Sequence, residues 1–164
     1  MIEIRNLTGN LINEDFIKEI SRKVLREEKK PAQSKALGRA GKENISLAFI
    51  GSGRMRELNK RYRGENRVTD VLIFGEDLKE IVICLREVKK NAKRYETTFE
   101  KELARVLIHG ILHLLGYDHE KPSTKAKLGA GLVPHRNEVS GAGSNREAKK
   151  MREKEEYYLK LLNC

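Results

Sequence analysis

The 164-residue sequence lacks any long hydrophobic run; only 38% of its residues are hydrophobic and 5% are aromatic. No stretch of about 18 apolar residues exists, so no transmembrane helix is expected. The first residues, MIEIRNLTGNLINEDF, include acidic side chains and no continuous apolar segment. A secretory leader is therefore not expected. Cysteine is nearly absent, with Cys84 and Cys164 alone, and two cysteines make no disulfide framework. Cys84 closes an apolar stretch and reads as a buried free thiol. A reducing cytoplasm suits this usage. Acidic residues are in deficit, with Lys+Arg 34 against Asp+Glu 24 and a formal charge of +10. Such an excess attracts polyanions, nucleic acid foremost. A chain of this length fits one domain with a single core.

Periodicity supplies the elements. Ile2–Ile4 reads as a short strand. Phe16, Ile17, Ile20, Val24 and Leu25 recur at helical spacing over 14–28, with Asn13 placed as the N-cap. Residues 29–42 hold five basic residues and no acidic one, punctuated by Pro31, Gly38 and Gly41, and read as a loop. Ile45, Leu47 and Phe49 alternate, giving a strand over 45–50. Ser52 is placed to cap the next helix, Met55, Leu58 and Tyr62 form its apolar stripe, and Gly64 ends it. The β-branched runs Val71–Phe74 and Ile81–Cys84 suggest a hairpin. A helix over 86–96 follows. Thr97-x-x-Glu100 has the form of a capping box for a helix that is apolar nearly all round from Val106 on, and so is expected to be buried. Gly116 suits its C′ position. Residues 121–143, with Gly129, Gly131, Gly141, Gly143 and no aromatic residue, read as a loop insertion. A last helix is expected to turn Met151, Tyr158 and Leu162 inward.

Three of the four histidines lie in His109-Gly110-Ile111-Leu112-His113-Leu114-Leu115-Gly116-Tyr117-Asp118-His119. His109 and His113 share one face of a helix, about 6 Å apart in rise. That spacing lets two ring nitrogens reach one zinc. Gly116 frees the backbone to turn and carry His119 back over the same face. Three neutral imidazoles and one open position describe a catalytic zinc site. A lone histidine on an apolar helix is ordinarily a satisfied core residue; two at i and i+4 on a buried helix are harder to satisfy without a shared partner. His135, in the 121–143 segment, reads as a bystander. His-x3-His-x5-His is metzincin spacing, but the glutamate that serves those peptidases as general base is replaced by Gly110. Peptide hydrolysis by that route is therefore disfavoured.

The histidine block resembles the signature of the YbeY family of endoribonucleases and rRNA maturation factors, H-G-x-L-H-L-x-G-Y-D-H, at every fixed position. A second segment, Leu58-Asn59-x-x-Tyr62-Arg63 followed by Thr69-Asp70-Val71-Leu72, is similar to that family's L-N-x-x-[YF]-R…T-D-V-L. Met151, Glu155 and Tyr158 stand where its last helix has similar residues. The resemblance implies an α+β fold: a small mixed sheet of about four strands with helices packed on it, and the metal-site helix central, in a zincin-like manner. It implies one zinc ion on His109, His113 and His119, a functional arginine at Arg63, and a role in ribosomal RNA maturation and ribosome quality control, with rRNA and ribosomal particles as partners. The sequence departs from the pattern at Ile73 and Gly75, at Lys79-Glu80, and in the insertions 29–42 and 121–143.

Zinc held in this way polarises a phosphoryl oxygen and lowers the pKa of a bound water, so it suits phosphodiester cleavage; the resemblance implies that the cleavage is endonucleolytic and single-strand-specific. Arg63 is a candidate phosphate clamp, because a guanidinium holds two phosphate oxygens at once. Asp118 either holds a histidine ring N–H or stabilises the turn. Asp70 either positions Arg63 or caps the loop. Two rival classes stay open: a metal-dependent hydrolase of a non-RNA substrate, and a non-catalytic ribosome-assembly factor in which zinc organises the fold.

Overall fold

A computed structural model describes residues 1–28, 44–75, 78–117 and 145–162. The expected loops at 29–42 and 121–143, together with Asp118, His119 and His135, lie outside the described residues. The elements run β1 (Ile2–Asn6), α1 (Glu14–Glu28), β2 (Ile45–Phe49), α2 (Ser52–Arg63), β3 (Val71–Phe74), β4 (Glu80–Ile83), α3 (Leu85–Arg94), α4 (Phe99–Leu114) and α5 (Asn145–Leu161). The four strands form one mixed sheet in the order β1-β2-β4-β3. β1, β2 and β4 are parallel, and β3 pairs antiparallel with β4 from Val71↔Ile83 to Phe74↔Glu80. The α+β class, the four-stranded mixed sheet and the hairpin agree with the reading of the sequence.

Strand side chains alternate between faces, and both faces are covered. Leu47, Phe49, Val71, Ile73, Ile81 and Ile83 meet the apolar sides of α1, α3, α4 and α5. Ala48, Leu72, Phe74 and Val82 meet Met55 and Leu58 of α2. Burial on both sides explains why β3 and β4 read as continuous apolar runs. α4 packs against α1, α3, α5, β3 and β4, so the helix bearing the two histidines is the centre of the core, as expected. Each fully buried Leu or Ile in it contributes about 1.5–3 kcal/mol.

Helix ends follow local chemistry. Asn13 caps α1 by accepting from Phe16 N–H at 3.0 Å. Two expected caps are corrected. Thr98, not Thr97, caps α4, accepting from Lys101 N–H at 3.1 Å. Thr97 N–H instead bonds Ala92 C=O at 2.9 Å and closes the preceding turn. Ser52 does not cap α2; Gly51 holds that position without a side-chain bond, and the Ser52 hydroxyl lies 3.7 Å from Cys84 Sγ. Cys84 is a buried free thiol. Gly116 adopts φ 87°, which L side chains rarely accept. With Gly116 N–H on His113 C=O and Tyr117 N–H on Leu112 C=O, it forms a Schellman termination of α4. No helix among the described residues is long and apolar enough to cross a membrane.

Candidate functional site

α4 carries His109 and His113 one turn apart. Their ring centroids are 4.7 Å apart, and both Nε2 atoms are buried. His109 Nδ1 lies 2.5 Å from Glu155 Oε1 of α5. The two side chains are only 20% and 16% exposed. A carboxylate on Nδ1 favours the tautomer with the proton there, which makes Nε2 the lone-pair nitrogen of the ring, the form in which imidazole ligates a metal. The donor chemistry of this pair therefore fits a divalent metal ion. Among the described residues no group of three or more His, Cys, Asp or Glu side chains converges on one point; the third expected histidine, His119, lies outside them.

Gly110 has a packing reason. A Cβ built there would stand 2.9 Å from Ile81 Cδ1 and 3.1 Å from Cγ2. Side chains at this position point into the sheet. The metzincin glutamate is thus excluded both by residue type and by space.

Around this pair a second carboxylate ties three elements together. Glu28, at the end of α1, accepts bonds at 2.5 Å from the Tyr117 hydroxyl, the Tyr158 hydroxyl and Lys154 Nζ. Burial pushes its carboxyl up, but these three bonds and the Lys154 charge outweigh burial and hold it below the ordinary value. Burial, then the hydrogen bond to Glu28, pushes the Tyr158 hydroxyl far up. Lys154 and Glu155 are consecutive, so α5 reaches Glu28 with one residue and His109 with the next.

Arg63 is half-buried at the end of α2. α2 and α4 occupy opposite faces of the sheet, yet both end at the same end of the edge strand β3. The Tyr62 ring meets Phe74 edge-on at 5.1 Å, and Leu114 Cδ2 lies 3.9 Å from a Cβ built on Gly75. Asp70 is at the other end of β3. Its Oδ1 accepts from Val71 N–H at 2.9 Å and its Oδ2 from Asn91 Nδ2 at 3.0 Å, tying β3 to α3. The carboxylate at His109 is Glu155, which the histidine spacing alone does not reveal. Its signal in the sequence is its position, four residues after Met151 and three before Tyr158, on the buried stripe of α5.

A mixed sheet with a paired-histidine helix at its centre and a carboxylate behind one imidazole defines an α+β protein built around a polar site in an apolar core. The chain belongs to the YbeY family: the family model described as Endoribonuclease YbeY matches residues 3–131. Endoribonuclease YbeY of Thermotoga neapolitana is 48% identical over 90 residues, 53% of this chain and 60% of that one. Endoribonuclease YbeY of a Sulfurihydrogenibium species is 38% identical over 130 residues, 72% of this chain and 83% of that one. The solution structure of TM1509 from Thermotoga maritima superposes with a TM-score of 0.60 at 30% identity, covering 99% of this chain and 89% of that one. The matches to the Thermotoga neapolitana and Thermodesulfovibrio yellowstonii proteins span 60% and 58% of those relatives' lengths.

Proposed function

We propose that this chain is a single-domain, zinc-dependent, single-strand-specific endoribonuclease acting in cytoplasmic ribosomal RNA maturation and ribosome quality control. The observation that carries the reading is the His109–His113 pair with Glu155 on Nδ1 of the first ring. His109, His113 and His119 hold one zinc. When bound, zinc supplies Lewis-acid polarisation of a phosphoryl oxygen. Glu155 fixes the tautomer and orientation of His109. Arg63, the last residue of α2, clamps a phosphate. Asp118, one residue before His119, is assigned to that ring or to its turn. The formal charge of +10 supports a polyanionic substrate, and the name of the family supports RNA.

The test is a single-turnover cleavage assay on single-stranded RNA, with wild type, His113→Ala and Arg63→Ala prepared in parallel and metal content measured on each. Wild type is expected to bind about one zinc per chain and cleave, because three protein ligands hold one ion. His113→Ala is expected to lose most of both. Arg63→Ala should keep zinc and lose cleavage more than binding, since a clamp on the reacting phosphate acts chiefly in the transition state. Cleavage that survives undiminished in His113→Ala belongs to a contaminant and removes the proposal. Full metal content in that variant removes the site.

A further inference from the structure

At the end of the sheet away from Gly75 and Leu114, a cleft of about 390 Å³ opens between the starts of α2 and α3 and the segment before β3. Its lining includes Arg56, Arg67, Arg86 and Lys90, against one carboxylate, Glu87. Arg67 pairs with Glu65 at 2.7 Å and Lys90 with Glu87 at 3.3 Å. Among the described residues neither Arg56 nor Arg86 is in an ion pair, so their charge is uncompensated there. The cleft lies at the Val68 end of β3 and the histidine pair toward the Gly75 end. The four-residue strand between them is about 13 Å long.

α2 connects the two regions. Arg56, Lys60 and Arg63 are spaced i, i+4 and i+7, which places them on one side of the helix. From Arg56 to Arg63 the helix rises about 10.5 Å. A single small anion needs one cluster of cations; cations spread over two turns match a polymer with repeating phosphates. Beside Arg63, Tyr62 keeps 43% of its surface exposed; the Arg61 guanidinium lies over its ring at 5.7 Å, and the two together offer a cationic aromatic surface beside which an unpaired base can stack.

We propose that this cleft anchors the phosphate backbone of single-stranded RNA, remote from the histidine pair and joined to it by the Arg56–Lys60–Arg63 stripe of α2. The inference rests on the RNA reading above and deepens it. A strand held at the cleft is delivered along α2 to the end of β3 near which α2 and α4 both end. The cleft then sets affinity, and the histidine pair sets cleavage.

The test measures equilibrium binding of a labelled 16-nucleotide single-stranded RNA to the full chain in EDTA, so that no strand is cut, across a salt series. Arg56→Ala/Arg86→Ala is expected to weaken binding about tenfold and to lower the salt slope by about one to two, as loss of two phosphate contacts requires. Arg22→Ala/Arg26→Ala on the exposed side of α1 removes the same charge elsewhere and is expected to change affinity less than about twofold, since screening confines exposed charges to about 10 Å. Both doubles should melt with the wild type, because the altered side chains are exposed. Wild-type affinity and slope in Arg56→Ala/Arg86→Ala, or equal weakening by the α1 pair, overturns the cleft. If the wild type binds no RNA even at low salt, the RNA reading fails and the cleft with it. If cleavage depends on His113 while the cleft double binds normally, the RNA reading stands and only the cleft falls.

Discussion

Replacing Glu155 tests how far the site depends on a residue 46 positions from its histidine. In the native protein the His109 Nδ1–Glu155 contact is 2.5 Å long and mostly shielded from water. Glu155→Ala leaves a buried ring N–H without its acceptor, a loss of about 1–3 kcal/mol. It also removes the bias between tautomers, so a share of the protein holds its proton on Nε2, where the metal would bind. Losing such a carboxylate typically weakens metal binding about 10–100-fold, or about 1.4–2.7 kcal/mol. Glu155→Gln keeps an acceptor for Nδ1–H and loses only the charge, so about a three- to tenfold weakening is expected from a neutral bond half as strong. Zinc affinity is measured by competition with a chromophoric chelator, beside melting of the metal-free proteins. Tyr158→Phe serves as control: it sits on the same helix and removes a bond to Glu28, but it does not touch His109. It should lower the melting temperature and leave zinc affinity within about twofold, since it removes one buried hydrogen bond and no contact to a ligand. Wild-type zinc affinity in Glu155→Ala, or equal weakening in Tyr158→Phe, refutes the positioning role.

The Glu28 cluster makes stability depend on pH at both extremes. The folded Glu28 carboxyl is depressed, so its contribution is complete above the ordinary carboxyl range and is lost as pH falls through the depressed value. Tyr158 is raised, so its contribution is complete below the ordinary tyrosine range and is lost as pH climbs above it. Denaturant melts should accordingly show Glu28→Gln flatter than wild type in acid; parallel curves would refute the assignment. Gly110→Ala gains about 1 kcal/mol of helix propensity and loses about 1–3 kcal/mol to overpacking on Ile81. A net loss near 1 kcal/mol is expected, largely relieved in Gly110→Ala/Ile81→Val; additive effects in the double variant would contradict the contact. Thr98→Ala should cost about 1 kcal/mol and Thr97→Ala clearly less in the same melts, because only Thr98 accepts the capping bond.

Features set by neighbours in sequence were legible. α1 follows from its apolar spacing and Asn13, the end of α4 from Gly116, and the hairpin from two β-branched runs. Thr97 and Thr98 show where local pattern fails. Thr97-x-x-Glu100 satisfies the capping pattern, but the backbone at Glu96 turns through φ 51° and uses Thr97 to finish the turn, delaying the helix by one residue. The strand order β1-β2-β4-β3 was not legible, because it depends on which strand fills the gap between β2 and the edge. Glu28 has no place in the sequence reading, and Glu155 enters it only through the resemblance and without a role at the site, for a related reason. Their partners lie on other helices or, for Tyr117, in the turn after α4, and only docking of α5 against α1 and α4 brings them together. Both nonetheless left a trace, a carboxylate on an otherwise apolar stripe: Glu28 in line with Val24 and Leu25, and Glu155 between Met151 and Tyr158.

The fit of Gly110 against Ile81 also bears on what this scaffold can become. A peptidase-type glutamate beside the first histidine is one residue change away in sequence but two coupled changes away in structure. Made first, the glutamate drives a charged side chain into the centre of a packed sheet. Made first, a smaller residue at Ile81 opens a void beneath the most buried helix. Each single change lowers stability, the first by burying an unpaired charge and the second by opening a cavity, so drift by single substitutions meets a barrier in both orders. Divergence is steered instead to positions where the backbone is not pressed against a strand, such as the exposed side of α2. On this fold, new substrates are more accessible than a new general base.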